Sequence, residues 1–405
     1  MRIRSITYFC NPGWPLRSAA LQEAAQFLRE SRRLFEEAGY EVQSTRLATV
    51  PFPSLLGGEL KEVTRLAQTI EQVLEDLGVD YAALGPALPQ VPQSFGWVVE
   101  ALSATRRVFL SAILTDHRSR LSLLALQETA RLIVELSTVE ENGFANLRFA
   151  ALVNIPPGTP FFPAAYHQGS ESAFALAMET ADLAIQAFEG VASLEEGRDR
   201  LIAHLEQEAQ NLARLADFLK YRHMIRFGGF DFSLAPFPAV ERSIGAALER
   251  MGLARLGAPG SLASVALLTQ ALEEAHFPHA GFCGVMLPVL EDAVLAERVR
   301  NGQLELKDLL LYSAVCGTGL DTVPLPGDAT PEQISALLLD LATLSLRLKK
   351  PLTARLMPIP GKKAGEMTTF EFPFFANTRI LPLSAGALTL RDAWLEFRSL
   401  GSLSQ

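Results

Sequence analysis

EVQSTRLATVPFPSLLGGELKEVTRLAQTIEQVLEDLGVDYAAL, residues 41–84, decides the fold class. Glu41 to Leu47 is β-prone. Leu60, Val63, Ala67, Ile70, Leu74 and Leu77 then recur at helical spacing as one apolar stripe, and Gly78 ends it. Tyr81 to Leu84 is a second short β-prone run, stopped by Gly85-Pro86. Strand, helix, strand is the unit that builds a parallel sheet covered by helices.

The same alternation extends in both directions. Ile3 to Phe9 is a strand candidate, and Leu21, Ala24, Leu28, Phe35 and Ala38 share one helical face before Gly39. Val108 to Leu114 and Leu147 to Ile155 are strands, with a helix near Leu121 to Leu136 between them. Pro156-Pro-Gly-Thr-Pro160 is the long loop. Ser172 to Phe188 reads as one helix. Ser193-Leu-Glu-Glu196 is a capping box that opens a long stripe through Leu219, so the chain makes a helical excursion at about 170–225. Later strands are expected at Gly228 to Leu234, Gly281 to Leu287, Leu320 to Val323 and Leu352 to Pro358. A last one is expected near Phe370 to Phe374 or Thr378 to Leu381. Thr330-Pro-Glu-Gln333 starts another helix, with Pro at its first position. Roughly ten strands in one series fit a single large α/β domain over 1–405, as a closed barrel or an open doubly wound sheet.

The chain has 405 residues, 49% apolar and 20% charged, with net charge -9. It can bury a large core, and it lacks the basic face that nucleic acid requires. Cys10, Cys283 and Cys316 are three widely spaced thiols, which suit a reducing compartment. No uncharged apolar run reaches the ~18 residues of a membrane span. The expectation is a cytoplasmic protein that engages neither nucleic acid nor membrane.

Five segments carry unusual punctuation. Pro163-Ala-Ala-Tyr-His167-Gln-Gly-Ser-Glu171 places an imidazole and a carboxylate at a loop-to-helix junction. They serve as acid/base and substrate contact, or as a polar first helical turn. In Phe227-Gly-Gly-Phe-Asp231-Phe-Ser233, the two polar residues alternate with apolar ones and point the same way on a strand, as site residues at its C-terminal end or with Asp231 a carboxylate satisfied by backbone donors of the following loop. Gly281-Phe-Cys283-Gly284 leads into Glu291-Asp292, which helix-dipole pairing accounts for. Cys316-Gly-Thr-Gly319-Leu-Asp321 offers a thiol nucleophile if a thiolate is stabilised there, or a buried small hydrophobe. Arg355 and Pro360-Gly-Lys362-Lys363 supply cations suited to a carboxylate or other anion. The G-x-G lacks the third glycine of a dinucleotide fingerprint, and no P-loop is present. Cofactors stay unassigned, a divalent metal among them. His276-Phe-Pro-His279 reads as a loop.

Taken together and in this order, the segments resemble the domain of unknown function 711 family, also called uncharacterised protein family 0210. Phe232-Ser-Leu-Ala-Pro-Phe-Pro-Ala-Val240 after Asp231 resembles the family's D-L-S-L-A-P-T-P-A-V run. Glu291-Asp292-Ala resembles S-E-D-A, and Ala314-Val-Cys316-Gly-Thr-Gly-Leu-Asp321 resembles A-V-C-S-V-G-L-D. Pro326-Gly-Asp328 and Pro360-Gly-Lys362 align with P-G-D and P-G-K, and Tyr166-His167-Gln-Gly-Ser-Glu171 resembles F-H-G-x-G-E. Arg4-Ser-Ile-Thr7 matches R-T-I-T. Two segments depart from the family: Phe370-Glu-Phe-Pro-Phe-Phe375 replaces a glycine-rich run, and Arg107 to Ala112 lacks a cysteine. The resemblance implies a ten-stranded α/β barrel of the pyruvate formate-lyase-like type with helices outside, and a homodimer. It does not imply glycyl-radical chemistry, because neither a glycyl loop motif nor an adjacent cysteine pair is found.

Two functions follow as expectations. One is an enzyme acting on a small polar, anionic metabolite at the barrel mouth. There His167, Asp231, Asp321 and Cys316 are the catalytic candidates, and Glu171, Ser233, Arg355 and Lys362 hold substrate. The other is a non-catalytic ligand-binding or regulatory homodimer.

Overall fold

A computed structural model describes residues 1–384, 386 and 393–397. The strands are β1 (Arg2–Cys10), β2 (Thr45–Thr49), β3 (Tyr81–Ala87), β4 (Val108–Ile113), β5 (Leu121–Ser122), β6 (Phe149–Val153), β7 (Ala173–Glu179), β8 (Arg226–Asp231), β9 (Gly319–Pro326), β10 (Leu352–Ile359) and β11 (Trp394–Leu395). Nine of them form one sheet in the order β8-β7-β1-β2-β3-β4-β6-β10-β9, while β5 and β11 pair separately. The unit read from residues 41–84 is there: β2, the helix Val63–Leu77 closed by Gly78 at φ 72°, and β3 parallel to β2.

Six of the eight pairings in the sheet are parallel; β1 with β7 and β6 with β10 are antiparallel. Five central strands (β1, β2, β3, β4, β6) therefore run one way. The outer pairs β7/β8 and β10/β9 run the other. Residues 279–288 follow the two sheet edges through single parallel bridges: His279 with Phe230, Val285 with Leu234, and Pro288 with Asp321.

The two faces of the sheet differ in side-chain size. Ile6, Tyr8, Leu47, Leu84, Leu110 and Phe174 pack with the helices in the main core. The opposite face is built from small residues, Ala48, Ala83, Ala173 and Ala175 among them, around Phe162 and Ala165. Those two come from the loop between β6 and β7, whose Ile155, Phe161, Ala164 and Tyr166 fill the neighbouring cluster. Alanines on the inner face leave room for this loop to cross it. Gly85 lets the crossing pass close: a Cβ there would lie 2.8 Å from Pro51 Cα and 3.3 Å from Tyr166 Cβ.

Several expectations need correction. Residues 173–179, read as the first half of a helix, are strand β7, buried throughout and paired with β1. Ala-Phe-Ala-Leu-Ala-Met-Glu is a short apolar run of helix formers, which periodicity alone cannot separate from a strand buried on both faces. The helical part of the excursion is Ala181–Ala187 and Leu194–His223, the latter capped by Ser193 as expected. Gly85 does not end β3; it produces a register shift inside it. Residues 281–287 form only the bridges named above, and the expected last strand near 370–381 is reduced to one bridge between Met367 and Arg379.

Candidate functional site

The strand directions place unlike strand ends at one edge of the sheet. Arg4 at the start of β1, Arg46 in β2, Tyr81 opening β3 and Phe109 in β4 meet Glu179 ending β7 and Asp231 ending β8 around a cavity of about 180 Å³. Arg355 of β10, Glu291 and Ser233 complete its polar wall. Phe161 and Phe162 of the crossing loop and Phe372 and Phe374 supply apolar wall. The Phe370–Phe375 run thus contributes two aromatic rings to the cavity.

An ion-pair cluster forms the floor. Arg355 Nη2 donates to Glu291 Oε1 at 2.7 Å, and its Nε donates to Asp321 Oδ1 at 2.6 Å. Arg4 Nη2 donates to the other Glu291 oxygen at 2.5 Å. Burial works against every charge here. For Glu291 the Arg355 and Arg4 guanidiniums outweigh it and hold the carboxyl below the usual carboxylate range. For Asp321 burial prevails and pushes the carboxyl up. Arg355, set between the two carboxylates, stays protonated: burial opposes its charge, but Asp321 and Glu291 outweigh burial. Glu179 is held by Arg242 at 3.0 Å, and Arg242 itself stacks 3.8 Å from the Phe237 ring centroid.

Arg46 is different. Its Nε donates to Ser44 Oγ at 2.9 Å, and its Cζ lies 5.0 Å from the Phe162 ring centroid. Among the described residues no carboxylate pairs with it. Burial, then the neighbouring Arg4 charge, pushes Arg46 down from the usual guanidinium range to about 9. It is still a cation at neutral pH, in a place that disfavours one.

Asp231 is the second notable group. Its Oδ1 accepts from Ser233 N at 3.0 Å, Ser233 Oγ at 2.5 Å and Cys283 N at 3.1 Å, and its Oδ2 accepts from Phe282 N at 3.1 Å. Burial pushes the carboxyl up, and these hydrogen bonds offset it only in part. Gly281, at φ 68°, makes the cradle: a Cβ there would sit 2.1 Å from Asp231 Oδ2.

The expected site residues therefore divide. Asp231, Ser233 and Arg355 line this cavity, and Asp321 stands behind Arg355. His167 does not join them. It lies on the far side of the crossing loop and lines another cavity of about 620 Å³ with Tyr166, Asp116 and His117, at the C-terminal ends of β2, β3, β4 and β6. Burial, then the Arg226 charge, pushes its imidazole down. No helix follows it, because β7 does, and Glu171 is exposed. Cys316 is fully buried; its thiol accepts from Gly319 N–H at 3.3 Å, and burial outweighs this contact and the Lys350 charge and pushes the thiol up, which disfavours a thiolate nucleophile. The glycine before Thr318 serves packing, since a Cβ on Gly284 would lie 2.5 Å from Gly317 Cα. Lys362 lies half-buried in a turn, its carbonyl accepting from Gly327 N–H at 2.9 Å, away from this wall. Asp292 does cap its helix, as the dipole reading expects, through Val294 N and Leu295 N. Glu291 instead faces the cavity.

Sequence reasoning missed Arg4, Arg46, Glu179 and Glu291. The available signal was a charged residue inside an apolar β-run, Arg-Ser-Ile in β1 and Arg-Leu-Ala in β2, on strands that a covered sheet buries on both faces. Among the described residues no three His, Cys, Asp or Glu side chains form a metal-binding group, and no helix is long and apolar enough to cross a membrane.

Comparison with known proteins places the chain. The family described as Uncharacterised ACR (DUF711) matches residues 1–374. A UPF0210 protein of Pyrobaculum arsenaticum is 32% identical over 370 residues, covering 86% of this chain and 81% of that protein. UPF0210 proteins of Clostridium botulinum (28% identical, 86% of this chain and 81% of the relative) and Methanopyrus kandleri (28%, 87% and 82%) are similar over the same extent. With nearly the whole chain matched on both counts, this protein belongs to the uncharacterised DUF711 family.

Proposed function

We propose that the chain is an enzyme that moves a proton on a small organic anion held in the Arg46 cavity. The observation that carries this reading is the Arg46 guanidinium, which lines a partly open cavity and makes no ion pair with a carboxylate among the described residues. A half-buried cation without a direct partner is costly, and a ligand anion would supply the missing charge. Arg46 binds the anion, and Asp231, whose carboxyl burial pushes up from its ordinary value, gives or takes the proton. Ser233 orients Asp231 through the 2.5 Å contact. Arg355 is an internal counter-ion here, fixing Glu291 and Asp321, rather than a substrate clamp.

Hydrogen–deuterium exchange tests this without knowledge of the product. Small organic acids that raise the thermal midpoint are incubated with enzyme in D₂O and followed by proton NMR. Exchange of a C–H proton that vanishes in Asp231→Asn while the midpoint shift survives supports the reading. Binding without exchange for every acid favours the non-catalytic binding protein. That second reading draws on the four donors around Asp231, which also suit a purely structural carboxylate.

The same proposal includes a ring closed by residues 279–288 as a tenth strand, giving a single-domain pyruvate formate-lyase-like barrel. The bridges to both sheet edges support it, with Phe230 N donating to Pro278 O at 2.8 Å and Val289 N to Asp321 O at 3.0 Å. A cytoplasmic homodimer completes it. Phe218, Tyr221 and Met224 are exposed together at the end of the Leu194–His223 helix and offer an apolar contact. Light scattering of wild type and Tyr221→Glu is the check: an unchanged monomer mass in both removes the dimer.

A further inference from the structure

We infer that the occupant of the Arg46 cavity is a monocarboxylate with a flat, unsaturated body about the size of a substituted benzene ring. This rests on the anion reading above and narrows it to a ligand class.

The charge count sets the valence. Arg355 is shared by Glu291 and Asp321, Arg4 also serves Glu291, and Arg242 serves Glu179. Arg46 is left over among the lining cations. Arg46 is the lining arginine without a direct carboxylate partner, and one carboxylate on the ligand supplies it. A second negative charge would face Glu179, Glu291 and Asp231, which repel it.

The donor geometry selects carboxylate. Arg46 Nε is committed to Ser44 Oγ, and the ring of Phe162 backs the guanidinium, so the edge formed by its two Nη atoms is the part left to bind. Two parallel N–H donors match the two oxygens of one carboxylate. A phosphoryl group carries a third acceptor oxygen and commonly uses backbone N–H groups. This wall is poor in them, because Pro160, Pro236 and Pro238 line it and have no N–H.

Shape selects the flat body. Tyr81, Phe109 and Phe162 form an edge-to-face run, with centroids 5.6 Å and 5.3 Å apart, on one side of the cavity. Phe237 and Phe374 stand edge-to-face at 5.7 Å and line it too. Aromatic edges and faces favour a planar π-system over a puckered or branched body. The volume agrees: an apolar cavity of about 150 Å³ takes up benzene, and this one measures about 180 Å³ with a charged group at its wall.

Titration calorimetry on the full chain at pH 7.5 tests the class with benzoate, cyclohexanecarboxylate, phenyl phosphate, phthalate and benzamide as probes. Benzoate is expected to bind at least about tenfold tighter than each of the others, the step that one charge-assisted contact or one poor fit supplies. Arg46→Met is expected to weaken benzoate by about ten- to a hundredfold. Arg46→Lys, which keeps the charge but loses the fork, is expected to fall between them. Circular dichroism and a cooperative melt certify that both variants fold. Tighter binding of phenyl phosphate or phthalate, dependent on Arg46, overturns the ligand class but leaves the anion site standing. Tighter binding of cyclohexanecarboxylate overturns the flat body alone. Affinity for every probe unchanged by Arg46→Met, or no heat from any of them, sinks both the class and the anion reading.

Discussion

Replacing Arg46 with Met should make the ligand-free protein more stable, although it should abolish anion binding. Arg46 falls from the usual guanidinium range to about 9 in the folded chain. A difference of that size corresponds to ~5 kcal/mol working against the charged form in the fold. Water entering the cavity screens part of it, and the lost Ser44 contact offsets a little more, so the expected gain is ~1–3 kcal/mol. Met fills most of the volume of the arginine stem and keeps contact with Phe162. The sign with pH follows from the direction of the shift. The folded pKa lies below the unfolded one, so the penalty is full below about pH 9 and is relieved as pH rises through it. Urea unfolding of wild type and Arg46→Met at pH 7.5 and pH 10, with equal slopes, gives the difference directly. The gain should be larger at pH 7.5. A variant that is less stable than wild type by more than ~1 kcal/mol at pH 7.5 would refute the reasoning. It would mean that the surroundings favour the cation and that Arg46 is part of the frame, as Arg355 is.

Glu291→Gln should cost ~3–5 kcal/mol in urea unfolding at pH 7, because it leaves Arg4 without its carboxylate and Arg355 with only Asp321; since the folded Glu291 pKa is depressed, its contribution is present above the usual carboxylate range and fades as pH falls through the folded value, so the variant should also lose less stability on acidification. A change under ~0.5 kcal/mol would remove the cluster from the list of stabilising elements. Gly281→Ala should lower stability by ~1–3 kcal/mol and reduce ligand binding, since the new Cβ meets Asp231 Oδ2 at 2.1 Å and φ is 68°; unaltered binding would mean that Asp231 does not face the ligand. All three thiols are buried, and burial pushes Cys10 up to about 12 and Cys316 and Cys283 up as well. A colorimetric disulfide reagent at pH 8 should therefore find no reactive thiol in the native chain and three in denaturant, whereas one fast thiol that Cys316→Ala removes would restore Cys316 as a nucleophile.

The helix starts at Ser193 and Thr330 were legible, and the structure has both: Ser193 Oγ accepts from Glu196 N, and Thr330 and Gln333 close their capping box. Such signals survive because each is made by residues three apart in sequence. Asp231 with Ser233 was legible for the same reason, as the two residues hold each other at 2.5 Å across one intervening residue. His167 and Asp231 each stood out equally, and their parting was not legible. What separates them is the loop from Ile155 to Tyr166 packing over a face of alanines. That packing depends on side-chain volume across strands far apart in the chain, which no local pattern records. Glu291 shows the same limit from the other side. A carboxylate at the start of a helix has a sufficient local explanation, and only the arrival of Arg4 and Arg355, 287 and 64 residues away, gives it another.

Sequence by itself determined the alternation of strands and helices, the acidic balance, the caps and the kinship with its family. These follow from periodicity, composition and short-range hydrogen bonding, which a linear string carries in full. Tertiary structure alone decided which way β7 and β8 run against β1, and so that the beginnings of β1–β4 share an edge with the ends of β7 and β8. It alone decided that arginines of β1, β2 and β10 would meet three carboxylates around one cavity, with Arg46 lacking a direct ion pair. Charge balance around a cavity is a sum over neighbours from distant parts of the chain, and that sum exists only once the chain has folded.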